Sequence, residues 1–481
     1  FWADLLGVTA GPARPLGEWI AKVPPEAGEG HGGGPPSLLT QRLGPEFPVV
    51  DRFQPLRPGP AAGSVVVVVN AGFTDHPAVV ESVRGRGRVV AFGLGTEDGA
   101  LATPELAALL RRALRPRAAG RPGGRPFGLA VVGYGAYGGM GFMHGVAARA
   151  TPGLDFVATC DSVVERRKAA EEDFVGVRAY ATVDELAADD DVDVAVVATP
   201  PASHASIALQ LLRAGKHVAC EKPLCLTVAE ADELMAAAAA HDRVLTVNQN
   251  RRWDADFVAV RRAVETGLLG DLFNVETFVG GFEHPCRAWH SEVSISGGAV
   301  YDWGSHHVDW ILQLLAGAPA TVVCHGHKRV WHDVTNLDQV RLRLAWEDGR
   351  EAEFLQSDVA AIRRPKFYLQ GTAGTMVGEY RPLTFERIEA GRGYVADTAH
   401  HAEAPAALTL ARYESGCGIT STRLPLAPEQ RFAFHRNLAD HLMLGDPLAV
   451  TAGSVRAVIA VLEAAQRSAA AGGTLEALPG P

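Results

Sequence analysis

Three patches of this chain carry residue types suited to moving protons and stabilising charge. Glu221-Lys222-Pro223 closes an apolar run, and an ammonium buried there without a partner would be costly. Thr199-Pro200-Pro201, followed by Ser203 and His204, closes another, with the prolines setting backbone direction. In the third patch Asp302 and His306 stand four residues apart and Asp309 lies a turn further on, so a helix would project all three from one face. A carboxylate beside an imidazole favours a charged or oriented ring, which suits proton transfer near neutral pH. Spacing alone leaves Lys222 equally well read as a solvated loop lysine. By itself the Asp302–His306 patch reads slightly better as a polar helix face with a satisfied histidine.

The elements that must position these residues are alternating strands and helices. The apolar run Phe127–Val132 empties into Gly133-Tyr134-Gly135-Ala136-Tyr137-Gly138, and a second run, Asp155–Cys160, ends at Asp161-Ser162. In a chain with 52 glycines a G-x-G-x-x-G alone is weak. Strand, helix-length interval and following acid complete a βαβ unit, and together they form a dinucleotide fingerprint. Gly133 serves the tight turn, Gly135 the close approach of a pyrophosphate and Gly138 the packing of helix on strand, with the helix N-terminus drawing the phosphates. Further strands are expected at Val194–Ala198, His217–Cys220 and Val244–Asn248, with helices at Ser203–Ala214 and Thr227–His241 between them. Near-continuous apolar strands alternating with helices predict a doubly wound parallel sheet of Rossmann type over residues 127–248.

From residue 249 to 481 the pattern changes to an α+β domain with an open, mainly antiparallel sheet. A helix at Ala255–Thr266 leads to a strand at Leu272–Phe278, and Val340–Trp346 with Glu351–Gln356 forms a hairpin. A strand pair brackets Gly371–Gly374, and helices over residues 431–471 are expected to pack back on the first domain. Residues 1–118 read as a partial α/β domain, with strands at Ser64–Asn70 and Arg88–Phe92 and a helix at Pro104–Leu114. Residues 119–126 form the linker, overlapping the arginine-, proline- and glycine-rich stretch Arg115–Arg125.

At 481 residues with 47% hydrophobic and 21% charged residues, the chain is an ordinary globular protein of two or three domains. A formal charge of −10 argues against nucleic acid as the main partner, and no apolar run is long enough to span a bilayer. Six scattered cysteines without a C-x-x-C pair fit reduced thiols, so a cytoplasmic location is expected. Cys324, His325, His327 and His332 match no standard zinc spacing and split across a strand's two faces, so no metal site is expected.

Taken in order, G-x-G-x-x-G, Ala198-Thr199-Pro200 with His204, Ala214-Gly215-Lys216-His217-Val218 with Glu221-Lys222-Pro223, and Gly298…Asp302-x-Gly304-x-His306-x-x-Asp309 resemble the Gfo/Idh/MocA oxidoreductase family. The closing segment, Asn437-Leu438-Ala439-Asp440-His441 through Gly445 and then Ala464 to Ser468, resembles that family's last helices. The resemblance runs from about Phe127 to the C-terminus. It implies nicotinamide-dependent redox chemistry and a homo-oligomer formed through the C-terminal sheet. It carries the catalytic roles to Lys222, Asp302 and His306: His306 as general base, Asp302 as its orienting partner, Lys222 as the donor that stabilises alkoxide charge. The cofactor-binding set is Gly133, Tyr134, Gly135, Ala136, Tyr137, Gly138, Asp161, Ser162, Thr199, Pro200, His204 and Glu221.

Asp161 would accept bonds from the adenosine ribose and repel a 2′-phosphate, favouring NAD, while Ser162 and the pair Arg166-Arg167 leave NADP open. The expected partner is a small carbohydrate or polyol. Arg251, Arg252, Trp253, Glu283, Trp289 and His290 could line its pocket and are equally readable as core or rim. The N-terminal region resembles part of a ThuA-like domain through Leu43–Phe47, Asp51, His76-Pro77, Gly85–Val89 and Gly93–Gly95, without a cysteine before Cys160 to act as nucleophile. The leading reading is an NAD(P)-dependent dehydrogenase of a sugar, sugar derivative or cyclitol. The alternatives are an NAD-dependent glycosidase working through transient oxidation, and a non-catalytic nucleotide-binding protein.

Overall fold

The computed structural model describes residues 8–10, 16–22, 46–58, 64–71, 74–84, 87–95, 103–114, 125–135, 139–285, 289–389, 393–400 and 404–478. The chain divides into two compact units, Phe1–Gly124 with Asp440–Pro447, and Arg125–Ala439 with Leu448–Pro481.

In the larger unit, parallel pairing builds a six-stranded sheet in the order Arg178–Tyr180, Leu154–Cys160, Phe127–Val132, Val194–Val197, His217–Cys220, Leu245–Val247. Strand order reverses between Phe127–Val132 and Val194–Val197, the switch point at which α/β sheets open a ligand crevice. The central strands are apolar because helices cover both faces; Val194–Val197 is buried at every position. Helix starts follow local chemistry. Thr182 with Glu185 and Thr227 with Glu230 form reciprocal capping boxes at the helices Val183–Ala187 and Val228–Ala240. Of the six strands, Arg178–Tyr180 carries no apolar run to announce it; it is a three-residue edge strand that exists by pairing with Leu154–Cys160.

The second sheet has nine described strands, in the order Gly418–Arg423, Ala407–Glu414, Gly374–Glu379, Phe367–Gly371, Leu272–Gly280, Glu351–Ser357, Gln339–Ala345, Thr321–His327, Glu476–Ala477. Every pairing is antiparallel except Leu272–Gly280 with Glu351–Ser357. The helices Gly304–Leu314 and Ala452–Ala470 cover one face, burying Val308, Ile311, Val458 and Leu462 with Leu342, Leu344 and Phe354. The long C-terminal helix also reaches the Rossmann helix Val228–Ala240, where Glu463 accepts from Val228 N at 3.0 Å and Arg456 pairs with Asp232. Cys324 is buried beneath this layer while the neighbouring His325 is exposed, as strand alternation requires. Among the described residues no group of His, Cys, Asp or Glu is arranged to hold a metal ion, and no helix is long and apolar enough to cross a membrane.

The smaller unit holds a five-stranded antiparallel sheet, Glu46–Arg52, Leu16–Lys22, Ser64–Ala71, Thr74–Arg84, Gly87–Phe92. The helix Pro104–Leu114 sends Leu106 and Leu109 into its core beside Val66, Val67 and Phe53. Asp51 is fully buried and accepts from Gly95 N. Leu43, Gly44, Pro45, Gly85 and Arg86 lie outside the described residues.

Candidate active site

The strand Phe127–Val132 turns at Gly133, whose φ of +92° suits glycine and where a Cβ would lie 2.9 Å from Ala198 C, Ala198 O and Thr199 Cγ2. Gly135, φ +74°, has nothing within 4 Å of an added Cβ, so backbone there is open to close approach. The helix Met140–Arg149 starts beyond this turn, giving the N-terminus that a phosphate requires. This geometry fits a dinucleotide. Tyr134 is buried and its hydroxyl donates to Asp173 Oδ2, which supports the loop. Ala136, Tyr137 and Gly138 lie outside the described residues. Close helix–strand packing is visible at Gly141, where a Cβ would sit 2.3 Å from Tyr134 O.

Asp161 ends the next strand. Its carboxylate accepts from Gly135 N at 3.2 Å and Val163 N at 2.9 Å, with Arg166 at 3.7 Å, while Arg167 donates to its carbonyl at 2.6 Å. Ser162 beside it is exposed. At the opposite strand ends, Ser203 donates to Thr199 Oγ1 and to Pro200 O. His204 and Glu221 are both engaged by protein partners. The His204 ring, fully buried, bridges Thr199 O at 2.6 Å and Pro223 O at 2.7 Å, stapling the two loops together. Burial pulls it below the usual histidine range despite those bonds. Glu221 turns inward, Oε1 accepting from His144 Nε2 at 2.9 Å and Asn248 Nδ2 at 2.7 Å, and Oε2 from Lys222 N at 3.2 Å.

Lys222 Nζ donates to Asp302 Oδ1 and Asp302 O, both at 3.0 Å. Burial opposes the charged carboxylate, but the Lys222 charge and hydrogen bond outweigh it and hold Asp302 below the usual aspartate range. Asp302 therefore orients Lys222, which corrects the expectation that it orients His306. Asp302 ends the short helix Ala299–Asp302, and His306 lies in the following helix Gly304–Leu314. His306 is buried with Nδ1 lacking a hydrogen-bond partner. Burial, then the charges of Lys222 and Arg251, push it well below the ordinary histidine value, so it is a neutral imidazole. Asp309 also leaves the shared face: it takes Arg252 in a two-pronged buried pair, Nε to Oδ2 at 2.8 Å and Nη2 to Oδ1 at 2.5 Å. Burial nonetheless raises the Asp309 carboxyl.

Around this centre Arg251 lies 4.9 Å from the Trp303 ring centroid and pairs with Asp254 at 3.2 Å; burial pushes Asp254 up to about 6. His290 stacks on Trp289 at 3.7 Å and feels both Asp302 and Lys222. Glu283 takes Arg363 at 3.1 Å. Arg252 is a core clamp and Trp253 packs at the edge of the apolar core. Four residues here gave no signal in the sequence: His144, Asn248, His435 and Asp358. The last follows the strand Glu351–Ser357, its N–H bonded to Asp338 O and its carbonyl accepting from Trp331 Nε1 and Glu283 N. Burial, then the charges of Asp302, Asp338 and Glu283, push Asp358 up to about 7.

A dinucleotide crease and a lysine–carboxylate–imidazole group on one unit define a nucleotide-dependent enzyme class. Residues 127–249 match the model of an oxidoreductase family with an NAD-binding Rossmann fold, and residues 257–377 match the GFO/IDH/MocA C-terminal domain. The chain belongs to the Gfo/Idh/MocA family. It is 31% identical over 235 residues to 1,5-anhydro-D-fructose reductase of Ensifer adhaerens, covering 48% of this chain and 70% of that one. It is 25% identical over 340 residues to a scyllo-inositol 2-dehydrogenase (NADP(+)) of Bacillus subtilis, covering 70% and 92%. Against an uncharacterized oxidoreductase of Schizosaccharomyces pombe, 30% identical, the match takes 47% of this chain and spans 65% of the relative's length. A crystal structure of an NAD-binding protein from Listeria innocua superposes with a TM-score of 0.62 at 26% identity, covering 74% of this chain and 97% of that one.

Proposed function

We propose that this protein is an NAD(P)-dependent dehydrogenase acting on a secondary alcohol of a sugar, sugar derivative or cyclitol. The observation that carries the reading is Lys222 held on Asp302 beside a neutral His306. A neutral imidazole takes up the proton of the substrate hydroxyl as general base. The Lys222 ammonium, aimed by Asp302, steadies the alkoxide charge that develops on the same oxygen. When bound, the nicotinamide supplies the hydride acceptor. His204 and Glu221 keep the two strand-end loops in register for this chemistry. Gly133, Gly135, Asp161, Ser162, Thr199 and Pro200 lie along the crease, and Asp161 favours NAD over NADP through like-charge repulsion of a 2′-phosphate. Relatives named for a cyclitol and an anhydro sugar support the substrate class.

The same reading assigns residues 1–118 to a ThuA-like accessory domain and 119–126 to a linker. It assigns residues 249–481 to substrate binding and to assembly of a homo-oligomer through the open sheet, in the cytoplasm. A screen of polyols and sugars for NAD and NADP reduction at 340 nm (the nicotinamide band) tests the activity. Aryl glycosides run alongside separate it from the glycosidase alternative. Aglycone release without net NADH, or nucleotide binding without turnover of any substrate, would refute the dehydrogenase.

A further inference from the structure

The Lys222–Asp302–His306 chemistry makes no use of a second buried assembly. His144 from the helix after the glycine turn, Asn248 from the end of the last strand and His435 from the C-terminal helix Ala433–Leu444 converge on Glu221. His144 Nδ1 lies 2.9 Å from His435 Nε2, and His144, Asn248, His435 and Glu221 are all at least nine-tenths buried. Burial drives His435 well below the usual histidine range, so that ring is neutral. For Glu221 burial opposes the charge, but the His144 and Asn248 bonds and the Lys222 charge win, and the carboxyl sits below its ordinary value. The carboxylate needs the hydrogen on His144 Nε2. The His435 Nε2–His144 Nδ1 and His144 Nε2–Glu221 Oε1 contacts, both 2.9 Å, thus form one line that ends on the carboxylate.

Place in the sheet gives this charge a purpose. Asp161 follows Leu154–Cys160 on one side of the switch point, and Glu221 follows His217–Cys220 on the other. A dinucleotide laid across the crevice with its adenosine at Asp161 brings its nicotinamide end over the Glu221 side. Lys222 Nζ turns to Asp302 at 3.0 Å, and Glu221 takes His144, Asn248 and the Lys222 N–H instead. We propose that His144, His435 and Asn248 are positioning residues that hold Glu221 as a fixed negative charge beside the nicotinamide end, so that the cleft favours the oxidised, cationic ring over the reduced, neutral one.

This inference needs the nucleotide site of the proposed function but not its substrate. Its test is equilibrium titration of the full chain with NAD, NADH and ADP-ribose, comparing the parent with Glu221→Gln, His144→Leu and His144→Gln. In Glu221→Gln the ratio of the NADH to the NAD dissociation constant falls by about five- to thirtyfold, as expected for one charge acting over several ångströms at protein-like screening. ADP-ribose, which lacks the ring, keeps its affinity. His144→Leu shifts the ratio the same way, and His144→Gln, which retains an N–H donor, restores it. Should Glu221→Gln fail to fold, the two His144 variants carry the test. An unmoved ratio, or a parallel loss of all three ligands, overturns the inference and leaves the dehydrogenase standing. A shifted ratio in a protein that oxidises no polyol refutes the dehydrogenase and leaves the inference standing.

Discussion

Replacing Asp358 with asparagine should stabilise the protein in alkaline buffer and not in acid. The carboxyl rises from the ordinary aspartate value of 3.8 to about 7, first through burial and then through Asp302, Asp338 and Glu283. A carboxyl raised on folding binds more protons in the native than in the unfolded chain between those two values. Stability from this group is therefore complete below about pH 4, falls as pH climbs, and is gone above about pH 7. At roughly 1.4 kcal/mol per pH unit the interval is worth at most about 4 kcal/mol, and solvent reaching this half-buried side chain brings it to about 2 kcal/mol. Asparagine keeps the shape and the backbone bonds to Asp338, Trp331 and Glu283 and removes the charge. Urea unfolding of parent and variant, paired at pH 4.5 and pH 8, reads the difference with other titrating groups cancelled. A variant advantage that is equal at both pH values, or larger in acid, refutes the argument.

Lys222→Ala and His306→Ala should each abolish polyol-dependent NAD reduction while leaving NAD affinity close to the parent's. Loss of NAD binding in step with activity in His306→Ala would remove its role as base. Asp161→Ala should raise NADP use relative to NAD, because the repelling carboxylate is gone and Arg166, 3.7 Å from it, is freed for a 2′-phosphate; an unchanged ratio of kcat/KM values would argue otherwise. Lys366→Met should cost about 3–5 kcal/mol in denaturant unfolding. It strips Asp256, fully buried, of an ammonium 2.7 Å away and leaves the charge to the Phe257 and Ala406 N–H groups. A loss below about 1 kcal/mol would show that the pair matters little.

Much of the scaffold was readable before any coordinates because its signals are local. Apolar runs buried on both faces and a glycine forced to positive φ at Gly133 each depend on a few neighbouring residues. The nucleotide crease with its strand-end acid follows from them, as does the hairpin Gln339–Ala345 with Glu351–Ser357. The strand Arg178–Tyr180 escaped because its existence lies in its partner rather than in its own side chains.

Residue partnerships were settled only by the tertiary fold. Helical spacing put Asp302, His306 and Asp309 on one face, yet Lys222, 80 residues away, takes the first, and Arg252, 57 residues away, takes the last. His144 meets His435 across 291 residues, and no pattern in either segment announces it. A buried charge or ring is satisfied by whichever donor packing delivers, and packing is a property of the whole unit. Sequence could therefore say which chemical groups stand at the strand ends. Only the assembled layers decided which of them hold one another, and thus which are left facing the crease.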